Sequence, residues 1–227
     1  MLGALLATLA GRRLRQAVAP LLAWVAGIMF AVAAFDLLPA AWRLGARAGV
    51  AGLALGVAVV LGVERLQPSP SAVVAWGIAA HNFPEGLAIG AGFAHERAVG
   101  LAITLLLALH DLPEGMAIAL PQEAGPPPAR PRRPGAGRWA AAFWLPAWRA
   151  LVAGLPTLLG ALAGHLAGVD REALAVAMGF AAGAMLEVTA GTLLPAAWSA
   201  DAPRPGLLLA ALTGCATGWL LTRLLAA

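Results

Sequence analysis

The chain has 227 residues, of which 61% are hydrophobic and only 11% are charged, and its mean hydropathy is +0.82. These values exclude a soluble globular domain, because about 20 apolar residues make a membrane-spanning helix and most of the chain divides into such lengths. The formal net charge is +4, and all 15 basic residues are Arg. Because the Arg residues fall almost wholly at the ends of apolar stretches, they indicate membrane orientation, and nucleic acid is not expected as a partner.

The apolar stretches predict an all-α integral membrane protein: a bundle of eight segments forming one transporter domain over residues 1–227. The first stretch, residues 1–11, would be about 17 Å long as a helix. It is therefore either a half-length helix or the remnant of a longer one with a misplaced start codon. The other segments are expected at about 18–42, 48–66, 72–94, 98–120, 139–168, 173–198 and 205–225. A basic turn is expected at 11–16, and the Pro-, Gly- and Arg-rich range 121–138 predicts a mobile linker.

The distribution of Arg predicts the orientation. With eight crossings, nine Arg residues lie in loops on one side and five on the other. The positive-inside rule makes the first side cytoplasmic and puts both termini outside. Arg149 is expected to reach the cytoplasmic interface from within its segment. The use of Arg without Lys is typical of a GC-rich bacterial genome, so the expected location is the bacterial inner membrane.

Two copies of one polar motif lie within apolar segments. Residues 81–90 are HNFPEGLAIG and residues 110–119 are HDLPEGMAIA, which agree at six of ten positions. A charged side chain at membrane depth costs roughly 2.5–3.5 kcal/mol on insertion scales. Polar groups repeated in this way need a compensating partner, and a cation is the obvious one.

Helical spacing brings the polar residues of each copy together. His81 and Glu85 are four residues apart and share one helix face, and His110 and Glu114 do the same. The residue after each His is rotated by about 100°. Either each His–Glu pair is only a structural hydrogen bond, or the two helices hold one or two metal ions; the matched repetition favours metal. The candidate ligands are His81, Asn82, Glu85, His110, Asp111 and Glu114.

A second repeat lies further apart in the chain. Residues 27–42 (GIMFAVAAFDLLPAAW) and 183–198 (GAMLEVTAGTLLPAAW) agree at ten of sixteen positions. In the eight-segment count these are segments two and seven, which run in opposite directions. Together with segments four and five they predict a 3+2+3 inverted repeat, which is typical of secondary transporters.

The paired HNxPEG and HxxPEG motifs, the eight segments and the two GxM…LLP helices resemble the ZIP family of divalent-metal transporters, in its bacterial GufA-like branch. The resemblance covers the chain after residue 18. It implies a site between the fourth and fifth helices that holds two metal ions, with Glu85 and Glu114 bridging them. It also implies metal movement towards the cytoplasm.

The chain departs from that family pattern at the outer ligands. Thr157 stands where relatives usually have a Glu, and Gly191 and Thr192 stand where they commonly have an acidic pair. The second helix also lacks the acid after its proline, where it has Ala40. Asp36 on the second helix and Glu187 on the seventh are candidate pathway residues, although Asp36 also fits a residue that reaches interfacial water. His95 and Glu96 end the fourth segment, either as a metal-gathering mouth or as an ordinary solvated turn.

These observations predict a secondary transporter and not an enzyme. The transported substrate is a divalent transition metal, with zinc as first choice and iron, manganese, cobalt or cadmium as further candidates, and no organic cofactor is expected. The single cysteine, Cys215, cannot build a thiolate site, which argues against copper(I). The expected partners are metal ions and the lipid bilayer, and a homodimer is left open.

Two rival functions use the same residues. A membrane-embedded metal hydrolase would activate water at this site, but the chain has no HExxH motif. A bis-His haem protein with His81 and His110 as axial ligands is disfavoured because a carboxylate lies one turn from each His.

Overall fold

The computed structural model describes residues 11–66, 70–98, 100–101, 103–105, 107–108, 111, 115, 136–167, 170–199 and 202–225. These residues are almost entirely helical, and no strand occurs among them. Residues 1–10 of the short first segment, residues 116–120 of the predicted segment 98–120 and residues 121–135 of the expected linker lie outside the described residues.

In the continuous ranges that the structure describes, seven α-helices and two π-helical turns follow the predicted segments within a few residues. The helices are α1 (Gly11–Val32), α2 (Leu38–Leu66), α3 (Pro70–His95), α4 (Ala136–Ala167), α5 (Arg171–Glu187), α6 (Leu194–Trp198) and α7 (Arg204–Leu225). The first π turn is Ala33–Leu37 and the second is Val188–Leu193. One expectation is wrong: the basic turn at 11–16 is helical, because its Arg, Leu and Gln residues are good helix formers.

Helix α2 is broken at Gly45, where the chain folds back. Gly45 has φ 178° and ψ 100°, an extended conformation inside the helical run. A Cβ placed on Gly49 would lie 3.1 Å from the Cβ of Ala41, eight residues earlier. In a straight helix two such residues are about 12 Å apart along the axis. The parts of α2 before and after Gly45 therefore belong to different segments, as the predicted boundary at 42–48 requires.

Among the described residues, four stretches are long and apolar enough to cross a membrane: Val18–Leu66, Trp148–Leu166, Arg171–Trp198 and Arg204–Arg223. The first has 49 residues and, with its break at Gly45, supplies two crossings of a hydrocarbon layer about 30 Å thick. Helix α3 is not among the four stretches, and the polar residues at its centre lower its hydropathy. Helices α4 and α7 expose many large apolar side chains, which fits contact with lipid.

Three helix pairs pack through glycine: α1 with α7, α2 with α5, and α3 with α4. At these glycines an added Cβ would collide with a backbone carbonyl of the partner helix, so the two backbones are in direct contact. The glycines recur at a spacing of four residues, the close-packing pattern of membrane helices. They are Gly52 and Gly56, Gly86 and Gly90, Gly160 and Gly164, Gly179 and Gly183, and Gly214 and Gly218.

The register of these contacts shows that each pair is parallel. In the α3–α4 pair, Gly86 meets the Thr157 carbonyl and Gly90 meets the Ala161 carbonyl, so the residue numbers rise together. In the same way, Gly52 and Gly56 meet Val176 and Phe180 in that order. Gly214 and Gly218 meet Trp24 and Ile28 in that order. Because α3 and α4 are parallel, the chain has to return from the end of one to the start of the other. This geometry agrees with a further segment at 98–120, although the count of eight stays a prediction.

The two copies of the sixteen-residue repeat each contain a π turn at a matching position. The Leu38 N–H donates to the Ala33 carbonyl, and the Leu194 N–H donates to the Thr189 carbonyl, so both bonds span five residues. Each π turn ends one residue before the Leu-Pro-Ala-Ala-Trp sequence. Since α2 after Gly45 runs parallel to α5, the copy that precedes Gly45 runs opposite to the copy that begins in α5. An inverted pair requires these directions.

Candidate functional site

The first polar motif lies at the buried centre of α3. The exposed fraction of the residue is 0% for His81, 5% for Asn82 and 2% for Glu85. His81 and Glu85 are one turn apart on this helix, as the spacing predicts. The helix continues through Pro84, which has no N–H and so removes the usual intrahelical donor of the Ala80 carbonyl.

The Asn82 side chain has a fixed orientation. Its Nδ2 donates a hydrogen bond of 2.8 Å to the Ala153 carbonyl on α4. A carbonyl oxygen only accepts, so this bond assigns the amide nitrogen to that side and leaves Oδ1 on the other. Asn82 Oδ1 is buried and accepts no hydrogen bond from the residues that the structure describes. A buried acceptor without a donor fits a ligand for a cation.

The structure describes one of the three predicted ligands in the second polar motif. Asp111 is helical and half-buried, and its Oδ1 atom is buried. His110 and Glu114 lie outside the described residues. Within the described ranges, no group of three or more His, Cys, Asp or Glu side chains is arranged to hold a metal ion. The complete six-ligand site therefore stays a prediction.

Thr157 lies on α4 where this helix touches the motif. A Cβ on Gly86, the residue after Glu85, would collide with the Thr157 carbonyl oxygen. The Thr157 side chain is half-buried. The Thr157 backbone therefore lies against Gly86, one residue after Glu85. Thr157 is the position at which the resemblance expects a Glu.

Glu187, a predicted pathway residue, has a neighbour that the sequence analysis missed. The Thr192 hydroxyl donates a hydrogen bond of 3.1 Å to Glu64 Oε1. A Cβ on Gly191 would lie 2.7 Å from Glu64 Oε1 and 2.9 Å from Glu187 Oε1. Two carboxylates therefore converge on the second π turn, and we call Glu64, Glu187 and Thr192 the carboxylate pair site. In the sequence, only the glycine at position 191 indicates that there is space for other side chains there.

The remaining predicted pathway residues lie outside the two polar motifs in the chain. Asp36 is half-buried within the first π turn, at the position of the repeat that Thr192 occupies in the other copy. His95 is the last residue of α3. Glu96, which follows it, is exposed. Neither the mouth nor the solvated-turn interpretation of His95 and Glu96 is decided by these positions.

No protein-family model matches the chain. The chain is 33% identical over 159 residues to human Zinc transporter ZIP4, and 33% identical over 159 residues to the mouse protein of the same name. Each alignment covers 67% of this chain, but only 22% of the human relative and 21% of the mouse relative. The aligned part of the chain thus spans about a fifth of the length of these relatives. The similarity supports the ZIP family, and relatives named as transporters agree with the prediction that this protein is not an enzyme.

Proposed function

We propose that this protein is a ZIP-family secondary transporter, of the bacterial GufA-like branch, that carries divalent transition-metal ions across a membrane towards the cytoplasm. The observation that carries the proposal is the burial of His81, Asn82 and Glu85 on one helix, with Asn82 Oδ1 left as an acceptor. An apolar helix bears such groups at its centre only where a partner offsets the cost of desolvation. The similarity to two zinc transporters supports the choice of a metal as that partner.

The proposed site has one half on each copy of the motif. His81, Asn82 and Glu85 supply a nitrogen and two kinds of oxygen from α3. His110, Asp111 and Glu114 supply the matching half. One metal ion is held between the halves, or two ions share the carboxylates of Glu85 and Glu114.

The ligand types select the cargo. Imidazole and carboxylate suit zinc, and they also accept iron(II), manganese, cobalt and cadmium. Cys215 is the only cysteine, so a thiolate cluster for copper(I) is not available. Zinc is the proposed principal substrate, and no organic cofactor takes part.

The carboxylate pair site serves as a second station on the proposed pathway. Two carboxylates that converge on Gly191 repel each other unless a proton or a cation is close to both. With Arg65 on the cytoplasmic side, Glu64 is near the cytoplasmic end of its segment. An ion that leaves the central site would then reach Glu64 and Glu187 on its way out, while His95 and Glu96 lie at the opposite, outer mouth.

The membrane arrangement belongs to the same proposal. Eight segments form a 3+2+3 inverted repeat in the bacterial inner membrane, with both termini outside. The parallel helix pairs and the opposed directions of the sixteen-residue repeat support this order of segments. A homodimer is compatible with the exposed apolar faces of α4 and α7.

Uptake of zinc into proteoliposomes tests the proposal. The variant Glu85→Gln keeps the shape of the side chain but removes its charge, and we expect at least about a tenfold loss of uptake at low zinc concentration. Glu172→Gln, which changes an exposed carboxylate at the start of α5, is the matched control and should transport normally. Full uptake by the Glu85 variant would refute the site.

The same preparation separates the transporter from the membrane-embedded hydrolase. A transporter moves zinc into the vesicles and releases no cleavage product. A hydrolase with these ligands would cleave a lipid or peptide substrate in a zinc-dependent way without zinc entry.

A further inference from the structure

A proline in α4 lies close to the carbonyl that holds Asn82. Pro156 is inside this helix, three residues after Ala153, whose carbonyl accepts the 2.8 Å hydrogen bond from Asn82. Proline has no N–H, so the Val152 carbonyl, four residues earlier, lacks its usual donor, and in a regular helix the proline ring would also collide with that carbonyl. A helix opens at such a point. The acceptor of the Asn82 bond therefore belongs to a turn that Pro156 opens.

The helix contact puts this turn beside the first polar motif. A Cβ on Gly160 would collide with the Phe83 carbonyl. Phe83 lies between Asn82 and Pro84 in the chain, and Pro156 lies one turn before Gly160. The two prolines are therefore at about the same level of the α3–α4 pair, and each removes an N–H donor from its own helix. Asn82 supplies a side-chain N–H where these backbone donors are missing.

On one side of the Asn82 bond, α3 and α4 leave open space. A groove of about 380 Å³ lies there, and its lining includes Ala79 from α3 and Val152, Ala153 and Pro156 from α4. Packing between the two helices therefore does not press the Ala153 carbonyl against Asn82 from this side. The direction of that carbonyl depends instead on the course of the α4 backbone, which a proline alters.

We propose that Pro156 is a positioning residue of the metal site: it presents the Ala153 carbonyl to Asn82 and so directs Asn82 Oδ1 towards the ion. The amide group is planar, so Oδ1 is fixed once Nδ2 is held. Oδ1 is buried and accepts no hydrogen bond from the residues that the structure describes. The effect on the ion rests on the proposed function, whereas the dependence of the Asn82 bond on Pro156 does not.

A double-mutant cycle in thermal unfolding tests this dependence without metal. Pro156→Ala restores the missing N–H and introduces the best helix former, so this variant should be at least as stable as the wild-type protein. In metal-free protein in detergent, we expect Asn82→Ala to lower the unfolding temperature by at least about 4 °C. In the Pro156→Ala background the same change should cost less than about 2 °C, because the closed turn directs the Ala153 carbonyl back into its own helix.

Zinc titration of the same four proteins tests the consequence at the metal site. Pro156→Ala should weaken zinc binding about fivefold in the wild-type background, which is the effect of about one hydrogen bond. In the Asn82→Ala background it should change zinc affinity by less than about twofold. Pro156→Leu also restores the N–H but has a larger side chain, and we expect it to reduce zinc affinity by a similar factor.

Pro20→Ala is the matched control. Pro20 is a half-buried proline inside α1, so its replacement also restores a helical N–H. This control should leave zinc affinity unchanged, and it should leave the cost of Asn82→Ala as large as in the wild-type background.

Three results would overturn the proposal. They are an equal cost of Asn82→Ala in both backgrounds, unchanged zinc affinity of Pro156→Ala, and a loss of zinc affinity that persists in the Asn82→Ala background. Failure of both Pro156 variants to fold would indicate a purely structural role and would also overturn it. Coupling between the two positions in a protein that binds no zinc would refute the proposed function and still establish the dependence of the Asn82 bond on Pro156.

Discussion

The two polar atoms of the Asn82 side chain differ in their hydrogen bonding. The nitrogen is held by the Ala153 carbonyl across a helix contact, and the oxygen is buried without a donor among the described residues. The sequence placed Asn82 among the ligands on the basis of its position after His81. The packing adds the reason why its oxygen, and not its nitrogen, would face a cation.

Replacing this side chain tests both ends at once. We expect Asn82→Ala to lower the free energy of unfolding by about 1–3 kcal/mol, because the buried Ala153 carbonyl loses its donor. We also expect weaker zinc binding by titration in detergent. Thr222→Ala is the control: it removes a buried hydroxyl that bonds to the Trp219 carbonyl within α7, and it should leave zinc binding unchanged. Unchanged zinc affinity of the Asn82 variant would remove it from the ligand set.

The surroundings of Glu187 are only partly predictable from the sequence. Its position deep in an apolar segment indicates a pathway residue, whereas Glu64 precedes Arg65 at a segment end and has the pattern of an ordinary interfacial pair. The contact between Glu64 and Thr192 joins residues 128 positions apart in the chain. Such a pairing depends on which helices pack together, and the local pattern does not contain that information.

A role of the carboxylate pair site in zinc release can be tested separately from zinc binding at the central site. Glu187→Gln should reduce the maximal rate of zinc uptake several-fold while zinc affinity at the central site is retained, because release and not first binding would be slowed. Uptake at saturating zinc and equilibrium zinc binding are the two measurements. Loss of both in parallel would contradict a separate station and indicate general damage.

At the scale of elements, the glycine contacts determine which helices form pairs. The four-residue spacing of the glycines is visible in the sequence, for example at Gly86 and Gly90, and it predicts close helix contact. The partner of each glycine pair is not visible, because several helices carry the same spacing. The π turns were not predicted either: the Leu-Pro sequence that follows Leu37 and Leu193 marks the region, but the extra residue has no local signal.

A methyl group at a glycine contact should separate the helices. Gly86→Ala places a Cβ against the Thr157 carbonyl, and we expect a loss of about 1–3 kcal/mol in stability together with reduced uptake. Gly154→Ala on α4 is the matched control, since a Cβ there has nothing within 4 Å. Thermal unfolding in detergent gives the comparison. Equal stability of the two variants would contradict the close contact.

At the scale of the whole molecule, one contact agrees with the grouping of segment ends that the Arg distribution predicts. Arg171 donates a hydrogen bond of 2.8 Å from Nη2 to the Arg43 carbonyl, which joins the start of α5 to the turn before Gly45. Both residues belong to the set that the positive-inside rule puts outside. For this one pair of segment ends the contact agrees with the sequence, while the orientation as a whole stays a prediction. The packing of the segments into parallel pairs required the structure.

Labelling of single cysteines tests this orientation. In a Cys215→Ser background, a membrane-impermeant maleimide should label Glu172→Cys from outside intact cells, because this exposed residue begins α5 next to Arg171. Leu66→Cys, at the opposite end of α2 and 79% exposed, should react only after the cells are opened. Labelling of both from the same side would contradict the assigned crossings, and reversed labelling would invert the orientation.

The contact between glycine and carbonyl in the α3–α4 pair limits how this protein can move. A shift of α3 along its partner by four residues, about 6 Å, would bring Asn82 or Ala94 to a contact that glycine now occupies. We therefore expect sliding within the pair to be hindered and α3 to move together with α4. Any opening that exposes His81 and Glu85 first to one compartment and then to the other has to occur at the looser seams around this pair.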